Sequence, residues 1–368
     1  MPLENINRNP ASVDKIKNIL KDKINILDIG AAGGIMEEFK VLNNISNFYG
    51  FEPRKEEAKI LNKISKNNQT YFPYALSDKN QSKKFYNCAS SAASSFYPDD
   101  KFFNSRFAEN KNNLIKNQTE IECVTLDSIM DKFDNKKIDV IKLDTEGCEL
   151  EILKGATKAI DNSIMILSEC HFSKFQKNNN QHFAVLDEYI QNYNFFLFDI
   201  DQKRFTKSYL PVGKIFSFFK FSFAGDFKKE YGQIKMADVI YFKDPIFDYK
   251  INKEKAKNFW NNDRVLKLIT LLDLYNYQDS AIEILFFFKE RFKKNDVQKL
   301  LNSLIKFNTE YFTLDDGKYK KNYLRNKFFK GFIARLLRST QNDLDYDKYL
   351  LNSKKIFKKI GGLNDDVE

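Results

Sequence analysis

Charged residues interrupt an otherwise apolar segment at residues 138–149. The alternation of a β-strand would place Lys142 and Asp144 on one side of this segment, and Glu146 follows at its carboxyl end. Charge inside a buried parallel strand is costly unless it is paired, and such pairing is typical of a tuned functional site. Because open α/β sheets bind ligands at the carboxyl ends of their strands, we predict Lys142, Asp144 and Glu146 as catalytic residues. A purely structural ion-pair network is the alternative.

A second carboxylate follows the next apolar run, where Glu169 precedes His171 by two residues. Strand alternation places these two side chains on the same side. An imidazole is suited to accept the proton of a substrate hydroxyl, so we predict Glu169 and His171 as catalytic residues, with His171 as a candidate general base. A hydrogen-bonded structural histidine is the alternative. The other histidine, His182, is predicted to lie at the surface.

Small residues follow the first apolar run and would let a ligand lie against the backbone. An acid, Glu52, stands 22 residues beyond Gly30, at the position where a carboxylate can accept the two hydroxyls of a ribose. This spacing predicts an adenosine-type cofactor. Its predicted contacts in these two stretches are Asp28, Gly30, Ala31, Ala32, Gly34, Glu52 and Pro53.

The glycine pattern narrows the choice of cofactor. A dinucleotide fingerprint would place glycines at 30, 32 and 35, but this chain has Ala32 and Ile35. S-adenosylmethionine has no pyrophosphate to cradle, and its sulfonium is compatible with carboxylates such as Asp28 and Asp144. Further along the chain, the residues predicted to pack on adenine and to hydrogen-bond its amine are Ala75, Leu76 and Ser77.

Between residues 24 and 242, short apolar runs alternate with amphipathic stretches. This alternation is typical of βα units that build a largely parallel sheet, so we predict an α/β fold. The predicted strands cover residues 24–29, 48–52, 70–76, 138–143, 164–169, 195–200 and 237–242. Additional short strands are predicted at 83–88 and 121–126, and helices at 35–43, 55–66, 148–160 and 182–193.

The pattern changes after residue 243, where Asp244 and Pro245 form a turn signal. Beyond this point apolar residues recur at spacings of three and four, as on one face of a helix. We therefore predict an N-terminal helical lead-in (residues 1–23), an α/β domain (24–245) and an all-α C-terminal domain (246–368).

Six blocks of the sequence, in order, resemble the FkbM-type family of S-adenosylmethionine-dependent methyltransferases. The blocks are Leu27-Asp28-Ile29-Gly30-Ala31, Phe51-Glu52-Pro53, Ala75-Leu76-Ser77-Asp78, Val124-Thr125-Leu126-Asp127, Lys142-Leu143-Asp144-Thr145-Glu146-Gly147-Cys148-Glu149 and Glu169. The resemblance covers residues 24–242 and does not reach the C-terminal region. One departure is Ala32, where such loops often have Asn.

The resemblance implies the class I Rossmann-like methyltransferase fold, a seven-stranded, mostly parallel sheet with helices on both faces. It also implies O-methylation, acting on a hydroxyl of a sugar in a surface polysaccharide or glycoconjugate, or of a secondary metabolite. In such a reaction the protein aligns an oxygen nucleophile and removes its proton as the new bond forms.

Two versions of that chemistry fit the residues. Asp144, Glu146, Glu169 and His171 could share the proton transfer, or Asp144, Glu146 and Glu169 could hold a Mg²⁺ ion that lowers the pKa of the hydroxyl. The sequence does not choose between them, so a metal requirement stays open.

The distribution of net charge along the chain indicates which kind of partner it could bind. Residues 251–368 contain 24 basic and 16 acidic residues, a net charge of +8 within the total of +10. This excess favours an anionic acceptor, with a solvated helical surface as the alternative, and self-association through the C-terminal region is a further expectation. Nucleic-acid methylation is disfavoured, because Asp144 is followed by Thr-Glu-Gly rather than Pro-Pro-aromatic and the acids would repel phosphates. A non-catalytic scaffold is the remaining alternative.

Composition excludes several classes of protein. A hydrophobic fraction of 42% with 30% charged residues is typical of a globular chain and not of a disordered one. The longest apolar runs are far shorter than a membrane-spanning helix requires. The first 17 residues lack the apolar stretch of a secretion signal, and the four cysteines include no CxxC pair, so we expect a cytoplasmic location.

Overall fold

The structure is a computed structural model and describes residues 10–90, 93–107, 114–130, 137–173, 175–205, 207 and 232–305 of the 368-residue chain. The described residues divide into two compact units, one of residues 21–252 and one that combines residues 10–20 with residues 253–305. The domain boundaries predicted at residues 24 and 245 stay predictions. Residues 1–9 and 306–368 of the predicted terminal regions lie outside the described residues.

The described residues of the first unit form ten strands in two sheets. The strands are β1 (Ile24–Ile29), β2 (Ser46–Phe51), β3 (Gln69–Phe72), β4 (Ala75–Leu76), β5 (Gln81–Cys88), β6 (Ile115–Val124), β7 (Val140–Leu143), β8 (Met165–His171), β9 (Phe195–Phe205) and β10 (Gln233–Lys243). The larger sheet has seven strands in the order β3-β2-β1-β7-β8-β10-β9. The smaller sheet has three, in the order β4-β6-β5.

Strand direction in the larger sheet follows the predicted pattern. β1 pairs in parallel with β2 and β7, β2 pairs in parallel with β3, and β7 with β8. Only β10 breaks the direction, since it pairs antiparallel with both β8 and β9. Every residue of β1, β7 and β8 is buried, as expected for parallel strands covered on both faces. The predicted seven-stranded, mostly parallel sheet is confirmed.

The predicted strand at residues 70–76 is wrong as a single element. β3 ends at Phe72, Pro73 and Tyr74 belong to neither strand, and β4 then belongs to the smaller sheet, where it pairs with β6. Proline has no N–H to donate to a strand ladder, so Pro73 interrupts the pairing and lets the chain change sheets.

Helices and short helical turns connect these strands. In the first unit they are the 3₁₀ helix Glu37–Leu42 and the α-helices Lys55–Ile64, Lys101–Ser105, Leu126–Ile129, Glu149–Lys154, Thr157–Asn162, Phe183–Gln191 and Pro245–Ile251. The α-helix predicted at residues 35–43 is therefore wrong in type. Gly33 and Gly34 have positive φ and Met36 is extended, which leaves only six residues for a helix, a length at which the tighter 3₁₀ form is common.

The helix predicted at residues 148–160 is instead two helices that meet at Gly155. The backbone of Gly155 lies so close to β4 that a Cβ atom there would stand 2.1 Å from the carbonyl oxygen of Ser77. The carboxylate of Asp127 accepts hydrogen bonds from Thr157 Oγ1 at 2.8 Å and from the Lys158 backbone N–H at 3.1 Å. Because Asp127 satisfies these donors, the second helix can begin directly after the break.

The second unit is helical in its described part. Its helices are Ala11–Ile16, Lys253–Phe259, Asn262–Leu274, Gln278–Phe287 and Lys294–Ile305, with a 3₁₀ turn at Lys289–Arg291. Helix Asn262–Leu274 is its buried centre, since all its residues from Arg264 to Leu274 are inaccessible. No helix in the described part of the chain is long and apolar enough to cross a bilayer.

The N-terminal helix is tied to this buried centre by one carboxylate. Asp273 Oδ2 accepts a hydrogen bond from the backbone N–H of Ser12 at 3.1 Å and from its hydroxyl at 2.6 Å. Ser12 and Asp273 are 0% and 2% exposed, so neither partner can exchange the bond for one to water.

We therefore expect Ser12→Ala to destabilise the second unit by about 1.5–3 kcal/mol, the range for a hydrogen bond to a charged group. Unfolding can be followed by the fluorescence of Trp260, the only tryptophan in the chain, which is fully buried in this unit. Ser303→Ala is the matched control: Ser303 is also buried, but its hydroxyl donates to the neutral Leu300 carbonyl of its own helix, so the cost should be about 0.5–1.5 kcal/mol. Equal losses in both variants would contradict the assignment.

Candidate active site

A cavity of about 420 Å³ lies at the carboxyl ends of β1, β2 and β7. Its size falls within the roughly 300–1,000 Å³ of small-molecule and cofactor sites. Most of the predicted cofactor contacts line it, together with part of the predicted catalytic group: Gly30, Ala32, Gly34, Glu52, Pro53, Ala75, Leu76, Lys142, Asp144 and Glu146. The other predicted cofactor contacts, Asp28, Ala31 and Ser77, are buried and do not belong to this lining.

The turn after β1 brings two strand ends into direct contact. Gly30 has a φ of 85°, and a Cβ atom added there would lie 1.9 Å from the carbonyl oxygen of Asp144. The Asp144 N–H donates to the carbonyl of Ile29 at 3.0 Å, which extends the pairing of β1 and β7 past the end of the strand. A glycine is therefore required at position 30 by the backbone approach as well as by its φ.

A buried ion pair joins β1 to β7 directly beneath the cavity. Lys142 Nζ lies 2.8 Å from Asp28 Oδ1 and 3.5 Å from Asp144 Oδ2, and Asp28 and Lys142 are partners in the strand register. Burial alone would lower the pKa of Lys142, but the charges of Asp28 and Asp144 outweigh it and raise that pKa. Lys142 therefore stays protonated at neutral pH and holds both carboxylates.

Glu52 lies at the end of β2, but its carboxylate already has a partner. Arg54 donates to it in a fork, from Nε to Oε1 at 2.7 Å and from Nη2 to Oε2 at 2.9 Å, and the backbone N–H of Arg54 adds a bond of 2.9 Å to Oε1. A carboxylate offers about four acceptor positions, so at least one of these bonds must be given up if two ribose hydroxyls bind here. The predicted ribose contact stays a prediction.

Part of the cavity lining is apolar. Ala75 and Leu76 form β4 and are each 4% exposed, and the aromatic rings of Tyr74, Phe85 and Phe96 complete this part of the lining. Ser77, predicted to reach an adenine amine, instead hydrogen-bonds with Asp78 and Gln81 at 3.2 Å.

The turn after β7 is held in an unusual conformation. Glu146 has a φ of 57° although it is not a glycine, and Gly147 follows with a φ of 110°. The Glu149 carboxylate accepts bonds of 2.9 Å and 3.2 Å from the backbone N–H groups of Thr145 and Gly147. Ser95 Oγ and Gln176 Nε2 each donate to the Glu146 carbonyl at 2.7 Å.

Glu149 therefore stabilises the turn from the start of the following helix. A strained backbone of this kind persists only where several surrounding contacts hold it in place. Residues with such strain are common at functional sites.

A second pocket of about 220 Å³ lies beside the cavity and shares Lys142 and Asp144 with it. Glu169 lines this pocket and pairs with Lys203, whose Nζ lies 2.8 Å from Glu169 Oε1 and 2.9 Å from Asp238 Oδ1. Lys203 belongs to β9 and Asp238 to β10, so this ion-pair group joins the last three strands of the sheet.

The acids of this edge hold their protons more strongly than free carboxyls do. Burial and the neighbouring charges of Glu169 and Asp144 raise the pKa of Glu146 well above its ordinary value. Burial also raises the pKa of Glu169 to about 8, although Lys203 opposes the shift.

His171 is the last residue of β8 and is buried, with 4% of its surface exposed. Its ring packs on Phe175 with the centroids 4.4 Å apart. Burial lowers its pKa to about 3, with further lowering by Lys235 and Lys203. The imidazole is therefore neutral at neutral pH. Because its protonated form is strongly disfavoured, it is a weak general base.

The predicted metal ligands Asp144, Glu146 and Glu169 do not all converge. Ligand atoms of Glu146, Glu169 and His171 lie within 4.8 Å of one another, and Asp144 is not in this group. The reason is that β7 ends at Leu143, so the half-exposed carboxylate of Asp144 lies 3.5 Å from Lys142 instead.

Sequence reasoning missed several charged residues of this site, among them Arg54, Lys203 and Asp238. Asp238 is a single acid within the apolar strand β10, and Lys203 follows acids at alternating positions of β9. The criterion that selected Lys142, charge inside a strand, would have found both.

Comparison with curated proteins gives no match. Among solved structures, a TehB-like SAM-dependent methyltransferase from Corynebacterium glutamicum is 8% identical, the match covers 64% of this chain and 88% of that one, and the TM-score is 0.30. TrmK from M. capricolum, solved with S-adenosyl-homocysteine, is 11% identical over 80% of this chain and 95% of its own, with a TM-score of 0.28.

A putative RNA methyltransferase from Pyrococcus horikoshii is 9% identical over 63% of this chain and 81% of its own, also with a TM-score of 0.28. Similarities with TM-scores this low support no statement about the function of this chain.

The family comparison is specific to the segment that contains the cavity. Residues 28–197 match the model of the methyltransferase FkbM domain. This range runs from the end of β1 to the start of β9 and includes both turns that line the cavity. With its seven-stranded sheet and one antiparallel strand, the first unit has the class I Rossmann-like methyltransferase fold, and residues 28–197 form a methyltransferase domain of the FkbM family.

Proposed function

We propose that this domain is an S-adenosylmethionine-dependent O-methyltransferase whose acceptor is a sugar hydroxyl of a surface polysaccharide or glycoconjugate, or a hydroxyl of a secondary metabolite. One observation carries the proposal. A cofactor-sized cavity and a smaller pocket lined by carboxylates lie side by side at the carboxyl edge of the sheet and share Lys142 and Asp144.

The larger cavity suits S-adenosylmethionine in shape and chemistry. Ala75 and Leu76 offer an apolar surface for an adenine ring, and Glu52 follows β2, where its carboxylate could accept hydrogen bonds from the hydroxyls of a ribose. The backbone around Gly33 is open, since a Cβ atom added there would meet nothing within 4 Å. The bound cofactor supplies an electrophilic methyl group on a sulfonium.

The protein's own contribution is to place an oxygen in line with that methyl group and to remove its proton. Asp144 is suited to this part, because its side chain is 48% exposed and lines both the cavity and the smaller pocket. The ammonium group of Lys142 lies 3.5 Å from the Asp144 carboxylate and restrains it. The left-handed backbone of Glu146 fixes the path of the chain that follows.

The lining of the smaller pocket favours a neutral acceptor rich in hydroxyl groups. Glu37, Glu38, Asp144, Glu169 and Asp238 line it, against the two cations Lys142 and Lys203. Carboxylates accept hydrogen bonds from sugar hydroxyls but repel phosphates, which argues against nucleic acid at this edge. If the acceptor is anionic, as the charge of the C-terminal region suggests, its acidic group must lie away from the pocket. Self-association through that region remains part of the proposal.

The direct test incubates the full-length chain with methyl-labelled S-adenosylmethionine and, separately, neutral sugars and glycans, acidic glycans, and RNA. We expect label on a hydroxyl oxygen of a sugar or polyol, located by mass spectrometry, and an extract from cells with and without the gene should show the same methyl ether. Transfer to a base or an amine, with none to oxygen, would contradict O-methylation.

Glu52→Gln should weaken binding of S-adenosylmethionine about 10- to 100-fold, because one charge-assisted hydrogen bond to a ribose contributes about 1.5–3 kcal/mol. Calorimetric titration measures the affinity. Glu56→Gln is the matched control, since it removes the same charge from an exposed position four residues away, and its affinity should not change. If Glu52→Gln folds and binds as tightly as Glu56→Gln, Glu52 does not hold the ribose.

Gly30→Ala should destabilise the first unit more than Gly33→Ala, when both are unfolded without cofactor. The two glycines share a positive φ, so the backbone cost of a side chain, about 1–2 kcal/mol, is common to both. Only Gly30 adds a clash with the Asp144 carbonyl, for which overpacking costs about 1–3 kcal/mol more. Denaturant unfolding measures the difference, and equal stabilities would show that the approach of β1 to β7 is not tight.

A further inference from the structure

We propose that Glu146, Glu169 and His171 form a binding site for one divalent transition-metal ion of the Mn²⁺ or Zn²⁺ class, beside the proposed acceptor pocket. This ligand set differs from the three acids predicted from sequence, since a histidine takes the place of Asp144. The site itself is independent of the proposed function, whereas its catalytic role rests on it.

The geometry suits one shared ion. One ligand atom from each of the three side chains lies within 4.8 Å of the other two. Bonds of about 2.0–2.2 Å to nitrogen and oxygen in a tetrahedral arrangement would place the ligands of one ion roughly 3.3–3.6 Å apart. The three atoms are therefore near enough for side-chain rotations to bring them onto one ion. Glu146 is held toward this position by its fixed left-handed backbone.

Two of the three side chains have an atom that no described group satisfies. Glu169 Oε2 and His171 Nε2 are both buried and without a hydrogen-bond partner, in side chains that are 95% buried or more. Lys203 contacts only the other oxygen, Glu169 Oε1. Buried polar atoms are rarely left unsatisfied, so two orphaned atoms in one cluster point to a missing ligand.

The charge of this edge points the same way. This edge holds five carboxyl groups, those of Asp28, Asp144, Glu146, Glu169 and Asp238, and three ammonium groups, those of Lys142, Lys203 and Lys235. The carboxyl groups outnumber the ammonium groups, so a cation is attracted to this edge.

The donor atoms select the kind of metal. One imidazole nitrogen with two carboxylate oxygens is a mixed set that suits Mn²⁺, Fe²⁺ or Zn²⁺, whereas Mg²⁺ prefers oxygen ligands alone. The ammonium group of Lys235 opposes the binding of a cation here. It lies over the ring of Phe175, and its positive charge acts on His171. Ligand chemistry thus favours a transition metal over the Mg²⁺ that was one of the two alternatives left open by the sequence.

Three protein ligands leave positions open for an acceptor hydroxyl. An ion there would lower the pKa of that hydroxyl. As the oxygen–methyl bond forms, the sulfur–methyl bond breaks and its electron pair stays on sulfur. The hydroxyl proton passes to the Asp144 carboxylate and from there to solvent.

The test titrates chelator-treated full-length protein with MnCl₂, ZnCl₂ and MgCl₂ in a calorimeter, without cofactor or acceptor. We expect one Mn²⁺ or Zn²⁺ per chain and binding of Mg²⁺ at least about tenfold weaker. Pulsed electron paramagnetic resonance of the Mn²⁺ form should show the coupling of one imidazole nitrogen. Absence of binding at millimolar metal, or binding without a nitrogen signal, overturns the proposal.

Variants assign the ligands. His171→Asn and Glu169→Gln should each weaken binding at least about tenfold, since a loss of that size is typical even when only a residue that orients a metal ligand is changed. Asp144→Asn should keep the nitrogen signal, and Glu188→Gln, an exposed acid elsewhere, should bind as the wild type does. If His171→Asn fails to fold, weakened metal binding by folded Glu169→Gln still decides. A nitrogen signal that survives in His171→Asn, or an unchanged metal affinity in Glu169→Gln, contradicts this site.

The proposed metal site and the proposed methyl transfer can be disproved independently. Binding with no transfer to any hydroxyl would leave the metal site in place and remove the proposed function. Transfer that persists undiminished in EDTA, in a protein that binds no metal, would leave the function and remove the site.

Discussion

A charge buried in a parallel sheet must be paired, and the ion pair between Asp28 and Lys142 meets this requirement within the seven-stranded sheet. The two residues are register partners on β1 and β7, both nearly inaccessible to solvent, and their charged atoms lie 2.8 Å apart. Breaking such a pair by removing one partner typically costs about 3–5 kcal/mol. The pair therefore constrains the register of the two strands whose ends form the cavity. Lys142 also contacts the carboxylate of Asp144 and so restrains that side chain.

The turn after β7 is the second element that fixes the geometry of the site. Its backbone is held by Glu149 from below, by Ser95 and Gln176 at the Glu146 carbonyl, and by the approach of Asp144 to Gly30. These bonds offset the cost of a left-handed Glu146. A site made in this way is preorganised, since its geometry is set by the folded chain before any ligand binds.

The net charge of a chain and the charge of its active edge need not agree. This chain carries +10 overall, yet carboxylates outnumber lysines around the proposed acceptor pocket. Charges within a few ångströms of a ligand, shielded from water, act on it more strongly than distant surface lysines, whose field is screened beyond about 10 Å at moderate salt. The local lining is therefore the better guide to the acceptor.

Much of the fold was determined by the sequence alone. The residues of β1, the glycine turn after it, Glu52 at the end of β2 and the charged segment around Lys142 were all readable, because each depends on strand alternation or on neighbouring residues. Tertiary structure decided the rest. β10 inserts antiparallel between β8 and β9, so Lys203 meets Glu169 across 34 residues of chain and Asp238 across 35. Likewise His171, not Asp144, joins Glu146 and Glu169, because the end of β7 directs Asp144 toward Lys142. Such contacts depend on the order and register of strands distant in sequence, which local patterns do not encode.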